Sequence, residues 1–131
     1  MKKLIHEALT ARIIACAIAV HKTLGPGFLE SFYETALAIE LRRDGLQVEQ
    51  QKPLPVEYRG ILVGEHRLDL LVEGKIIVEL KAISKLENIH FAIGRSYLKA
   101  AGLEHALLFN FATMPLTIKR VILETSVLAS S

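Results

Sequence analysis

Two alternating runs, Ile61 to Val72 and Ile76 to Lys81, stand only Glu73-Gly74-Lys75 apart. So short a connection forces an antiparallel hairpin, because a parallel return needs a crossover of a dozen or more residues. Side chains along a strand alternate between faces. Leu68, Leu70, Val72, Ile76, Val78 and Leu80 therefore share the core face, and Arg67, Asp69, Leu71, Glu73, Ile77, Glu79 and Lys81 share the other. With Glu73-Gly74-Lys75 as a three-residue loop, Val72 pairs with Ile76, Leu71 with Ile77 and Asp69 with Glu79. A slip of one residue sets core residues against polar ones, so the pattern selects this register.

That register brings two carboxylates together. Directly opposed residues have Cβ atoms roughly 4.5–5.5 Å apart, and like charges there repel. A hard divalent cation such as Mg²⁺ removes the repulsion, taking oxygens from one or two carboxylates and completing its shell with water. An amphipathic hairpin with one solvated face gives the same alternation. Two details favour the cation: Leu71 and Ile77 make an apolar pair that argues for a partly covered face, and Lys81 lies one step beyond Glu79, aimed at a water or phosphate held there.

Elsewhere the period is helical. A first helix is expected from about Lys3 to Thr23, stopped by Gly25-Pro26-Gly27. A second runs from about Leu29 to Arg43, with Leu29, Phe32, Tyr33, Ala36 and Leu37 at helical spacing and Gly45 as its exit. Gln47 to Tyr58 reads as a strand broken or bulged near Pro53 and Pro55, followed by a turn at Arg59-Gly60. Ser84 and Glu87 have capping-box spacing for a third helix. Its face is marked by Leu86, Ile89, Ile93 and Tyr97, and Gly102 ends it. Leu107 to Phe111 and Thr117 to Leu123 complete the strands. The order predicts one α/β domain over residues 1–131, with a mixed sheet of about five strands flanked by helices. The helix before the fourth strand permits a parallel pair with the third.

The 131 residues leave no room for two ordinary domains, and 51% hydrophobic content excludes a disordered chain. Mean hydropathy is +0.35. Such apolar surplus in a small domain predicts a homo-oligomer, with an unusually apolar core as the alternative. Ile13 to Val20 is too short to span a membrane, and the start carries no convincing cleavage pattern. The lone Cys16 reads as a buried small hydrophobe, and a cytoplasmic location is expected. A net charge of +2 argues little for nucleic acid, and 6% aromatics without tryptophan do not advertise base stacking. Arg42, Arg43, Lys85, Arg95, Lys99, Lys119 and Arg120 offer phosphate contacts or mere solubility. His6, His21, His66, His90 and His105 show no tight ligand spacing; His66 and His90 fall nearest the cleft.

Gly27-Phe28-Leu29-Glu30-Ser31-Phe32-Tyr33 resembles the signature of the GxxExxY protein family. The likeness continues through Tyr58-Arg59-Gly60, Arg67 to Glu73, Ile77 to Lys81, Tyr97 to Ala100 and Leu107 to Phe111, spanning roughly residues 10 to 123. That family is similar to the PD-(D/E)XK nuclease superfamily, whose resemblance implies a restriction-endonuclease-like core and Mg²⁺- or Mn²⁺-assisted hydrolysis of phosphodiesters. It implies metal binding by Asp69, Glu79 and Glu30, with Lys81 orienting water or stabilising developing charge. Tyr33, one helical turn from Glu30, is either its hydrogen-bond partner or a core aromatic; Glu34 is a solvated charge or a supporting acid. Tyr97 is retained from a Q-x-x-x-Y element, but Ile93 stands at the glutamine position. Two functions follow: a nuclease acting on DNA or RNA, or a catalytically inactive descendant serving as a binding or assembly module.

Overall fold

A computed structural model describes residues 6–124. Its elements are α1 (Glu7–Leu24), α2 (Glu30–Arg43), β1 (Val48–Tyr58), β2 (Ile61–Val72), β3 (Ile76–Lys81), α3 (Asn88–Ala101), β4 (His105–Asn110) and β5 (Thr117–Ile122). The order matches the expectation from the sequence; the expected helical residues Lys3 to Ile5 lie outside the described residues. The break between α1 and α2 needs glycine, since Gly25 and Gly27 hold φ of 69° and 114°.

The five strands form one sheet in the order β1-β2-β3-β4-β5. Only β3 and β4 run parallel, with α3 as their crossover. Every residue of β4 is buried, as a central strand covered on both faces requires. One cluster packs Ile13, Ala17, Leu37 and Leu41 of α1 and α2 against Leu70, Val72, Val78 and Phe109. A second packs Leu98 of α3 against Leu71, Ile77, Ala106 and Val121. The chain is thus three layers, with α1 and α2 on one face of the sheet and α3 on the other.

Two local expectations are corrected and one is narrowed. β1 is bulged, not broken: it runs through Pro53 and Pro55, because an edge strand leaves one side without ladder bonds, and its register shifts at Val56/Glu57, beside Pro55. The cap of α3 is Glu87, whose amide donates to His90 Nδ1 at 2.8 Å, so Ser84 lies before the helix start. The buried face of α3 carries Gly94 and Leu98 with Phe91, Tyr97 and Ala101 alongside, while Ile89 is exposed.

Leu68 also departs from strict alternation. It joins the α3-side cluster together with Leu71, three residues on, whereas Leu70 belongs to the opposite cluster. The change of side falls at Asp69. There the β1–β2 pairing passes from Gln50↔Leu70 to Lys52↔Leu68 without a rung between, and Gln51 takes a φ of 50°.

Candidate metal centre

The hairpin register is as the sequence requires: Leu70↔Val78, Leu71↔Ile77 and Val72↔Ile76 are paired. One rung further the ladder stops, and side chains take over. The Asp69 amide donates to Glu79 Oε2 at 2.8 Å, and the Leu80 amide donates to Asp69 Oδ2 at 2.9 Å. Each carboxylate thus accepts from a backbone amide of the opposite strand. Each keeps its second oxygen, Asp69 Oδ1 and Glu79 Oε1, for another partner.

Burial and mutual charge make this pair costly. Glu79 is only 9% exposed. Burial first, and the Asp69 charge second, push its carboxyl up to about 8, against the Asp69 amide and Lys81, which favour the ionised form. Asp69 is raised chiefly by burial, with the charges of Glu34 and Glu30 adding; the Leu80 amide and Lys81 oppose. Two half-satisfied carboxylates in a poorly hydrated cleft cannot both ionise cheaply at neutral pH without a cation. Their oxygens suit Mg²⁺ or Mn²⁺ chemistry, in which two carboxylates and water suffice. Among the described residues no three His, Cys, Asp or Glu side chains form a ready-made cation cage.

Lys81 closes β3, and its charge acts on both carboxylates. It lines a small pocket with Glu79, Tyr97, Ile93 and His90. Ile93 therefore brings an apolar side chain to the wall of this pocket. Asn110, opposite Lys81 across the parallel pair, fixes the strand ends. Its side chain accepts from the Ile83 and Ala112 amides at 3.2 Å and donates to the Ile83 carbonyl at 2.8 Å.

The α2 acids exchange emphasis. Glu30 is exposed, and its Oε2 accepts from the Ala82 amide at 3.4 Å, just past Lys81. Glu34 is half-buried; Gln51 Nε2 donates to it at 2.6 Å and Gln50 Nε2 at 3.2 Å. Its charge raises both Asp69 and Glu79, so Glu34 is an acid of the site rim and not a solvated helix charge. The sequence leaves Glu34 open between a solvated charge and a supporting acid; the contact with the Gln51 side-chain amide, from a residue with left-handed backbone, is not readable there.

Tyr33 is the core aromatic of the two alternatives. It is fully buried and stacks on Phe111 with centroids 4.5 Å apart. Its hydroxyl donates to the Gly25 carbonyl at 2.6 Å and accepts from the Phe28 amide at 3.1 Å. It therefore clamps the loop leading to Glu30 instead of holding that carboxylate. Tyr97 does reach the site, stacked on His66. Burial, then the Glu79 and Asp69 charges, raise its phenol and keep it protonated. His66 falls at the cleft as the sequence suggests; its contact with a helix residue 31 positions away is not readable there, because nothing in a strand sequence says which helix ring it meets.

The cations are scattered. Arg42 donates to the Val48 carbonyl, Arg43 faces Glu40, and Arg120 donates to Thr10 Oγ1. Lys85, Arg95 and Lys99 are exposed near or on α3. No helix among the described residues is long and apolar enough to cross a membrane.

A family model described as the PD-(D/E)XK nuclease superfamily matches residues 7–121. That interval runs from the first residue of α1 into β5, one residue short of its end, and holds both carboxylates of the pair. Neither the curated proteins nor the solved structures gave a match.

Proposed function

The chain belongs to the PD-(D/E)XK nuclease superfamily, and from that membership we propose a metal-dependent nuclease that hydrolyses phosphodiester bonds in DNA or RNA. The finer placement in the GxxExxY branch is supported by Gly27, Glu30 and Tyr33. The observation that carries the function is the reciprocal pair of side chain to backbone bonds between Asp69 and the Glu79–Leu80 segment. It holds two carboxylates in mutual repulsion with one oxygen of each unspent. Asp69 and Glu79 hold Mg²⁺ or Mn²⁺, with Glu30 and Glu34 as the surrounding acids. The bound cation supplies Lewis-acid polarisation of a phosphoryl oxygen and a more acidic water. Lys81 stabilises the charge that develops on the phosphoryl group, in a partly covered cleft where such an interaction is stronger than in water. Tyr97 and Ile93 wall the cleft.

Calorimetric titration with Mn²⁺, alongside cleavage assays on single-stranded, double-stranded and branched DNA and RNA, tests this. Binding is expected to vanish in Asp69→Ala and Glu79→Ala. Lys81→Ala should retain binding and lose at least about 100-fold in cleavage rate. Cleavage that survives Lys81→Ala, or a wild-type chain that binds no divalent ion, removes the proposal.

A second reading, an inactive fold kept for assembly, is favoured by the tip of the β1–β2 hairpin. Tyr58, Ile61, Leu62 and Val63 are 61–70% exposed there. Their exposed area sums to on the order of 500 Å², divided between the two faces of the tip because Leu62 alternates with Ile61 and Val63. Two copies whose tips interlock, each covering both faces of the other, would bury up to about 1,000 Å², near the lower limit for a specific interface. A second copy of this chain is the occupant proposed. Light scattering decides: dimers that dissociate in Ile61→Lys/Leu62→Lys support the surface, and a monomer at high concentration rejects it. A cytoplasmic, reduced location is proposed from the single buried Cys16.

A further inference from the structure

We infer that His66 and Tyr97 form a positioning pair for Glu79, orienting its Oε1 toward the cation, a role that rests on the reading of Asp69 and Glu79 as cation ligands. His66 arrives on β2, three residues before Asp69, and Tyr97 on α3. Their rings stack with centroids 3.9 Å apart and planes 19° from parallel. The pair therefore ties the splayed part of the hairpin to the helix on that face.

Both ring nitrogens of His66 have defined surroundings. Nδ1 lies 3.2 Å from Tyr97 Oη. Nε2 is buried, has no hydrogen-bond partner among the described residues, and lies 3.7 Å from Glu79 Oε1. Those contacts select a tautomer. If Tyr97 Oη–H donates to Nδ1, the ring proton resides on Nε2 and faces a carboxylate oxygen. With Glu79 ionised, the reverse tautomer sets a nitrogen lone pair against that oxygen, and electron-rich atoms face each other across the 3.7 Å gap.

The 3.7 Å gap exceeds hydrogen-bond reach, so the contact at rest is electrostatic. A small turn of Oε1 closes it. Glu79 Oε2 is already fixed by the Asp69 amide. Holding Oε1 from the His66 side therefore leaves the carboxylate a single orientation. A buried N–H is costly to leave unmatched, which favours the turned position. Supporting groups of this kind commonly change metal affinity by about 10–100-fold when removed.

The test combines Mn²⁺ calorimetry with ¹⁵N spectra of the imidazoles in the metal-free protein, recorded at a pH alkaline enough to ionise Glu79. The wild type is expected to show His66 as the Nε2–H tautomer, and Tyr97→Phe to lose that bias while keeping the stacked ring. His66→Phe, which also keeps the ring, should bind Mn²⁺ about 10–100-fold more weakly than wild type, with its unfolding midpoint within a few degrees. A Nδ1–H tautomer in the wild type, or unchanged Mn²⁺ affinity in a folded His66→Phe, overturns the inference. If the wild type binds no divalent ion, the cation reading fails by itself and the inference falls with it. Failure of the spectra alone leaves the cation reading standing.

Discussion

Replacing Glu79 by glutamine should make the metal-free protein more stable at alkaline pH. Glutamine keeps an acceptor for the Asp69 amide, which Glu79 Oε2 now serves at 2.8 Å, and never ionises. In the wild type the folded carboxyl is pushed from 4.5 up to about 8, by burial first and the Asp69 charge second. The folded state then binds the proton more tightly than the unfolded chain. Its contribution is fully present below about pH 4.5 and is lost as pH rises through about 8. At about 1.36 kcal/mol per unit, the loss has a ceiling of about 5 kcal/mol. Opening of the hairpin to water lowers the realised loss to about 2–4 kcal/mol. Urea unfolding in chelator at pH 5, 6.5 and 8.5 measures it. The wild type should weaken steadily, and Glu79→Gln should be flatter and exceed it by about 2–4 kcal/mol at pH 8.5. A wild-type stability unchanged between pH 5 and 8.5, or a Glu79→Gln variant weaker at pH 8.5, refutes the reasoning.

Adding Mg²⁺ at pH 8.5 should restore the wild type by about 3 kcal/mol at a hundredfold excess over the dissociation constant, and leave Glu79→Gln unmoved in the same unfolding assay. Tyr33→Phe removes both hydroxyl bonds to the Gly25–Phe28 loop; a loss of about 1–3 kcal/mol is expected by denaturant unfolding, with Mn²⁺ affinity little changed if the tyrosine acts only on that loop. Leu98→Ala empties a fully buried position between α3 and the sheet and should cost about 2–5 kcal/mol by the same measurement.

The legible part of this fold was set by local chemistry. The hairpin register follows from a three-residue loop and two alternating runs, and the observed pairs Val72↔Ile76 and Leu71↔Ile77 are those the pattern demands. Gly25-Pro26-Gly27 and Gly45 mark helix ends because few other residues adopt such backbone. The misreadings occur where a tertiary partner decides. Ile89 has the right spacing for a buried face, but the layer beneath α3 is reached by Gly94, which faces Val121, and by Leu98. Tyr33 and Glu30 share a helical turn, yet the tyrosine hydroxyl is claimed by a loop that precedes the helix.

The site was legible in its acids and hidden in its geometry for one physical reason. Alternation places Asp69 opposite Glu79 only while the strands remain regular, and a regular strand would use the Asp69 and Leu80 amides in its ladder. The structure instead gives both amides to carboxylates. That exchange coincides with the φ of 50° at Gln51 and with the transfer of Leu68 to the α3 side. The irregularity brings His66 against Tyr97 and the Gln51 amide to Glu34. No local propensity announces this, because its cost is borne by one rung, and under the proposed function its benefit would come only with a cation shared by the two carboxylates. A chain selected for hairpin stability alone would close that rung with an apolar pair. Two carboxylates sharing that buried rung fit the proposed cation-binding role, whereas a solvated amphipathic hairpin would leave Glu79 exposed, and it is only 9% exposed.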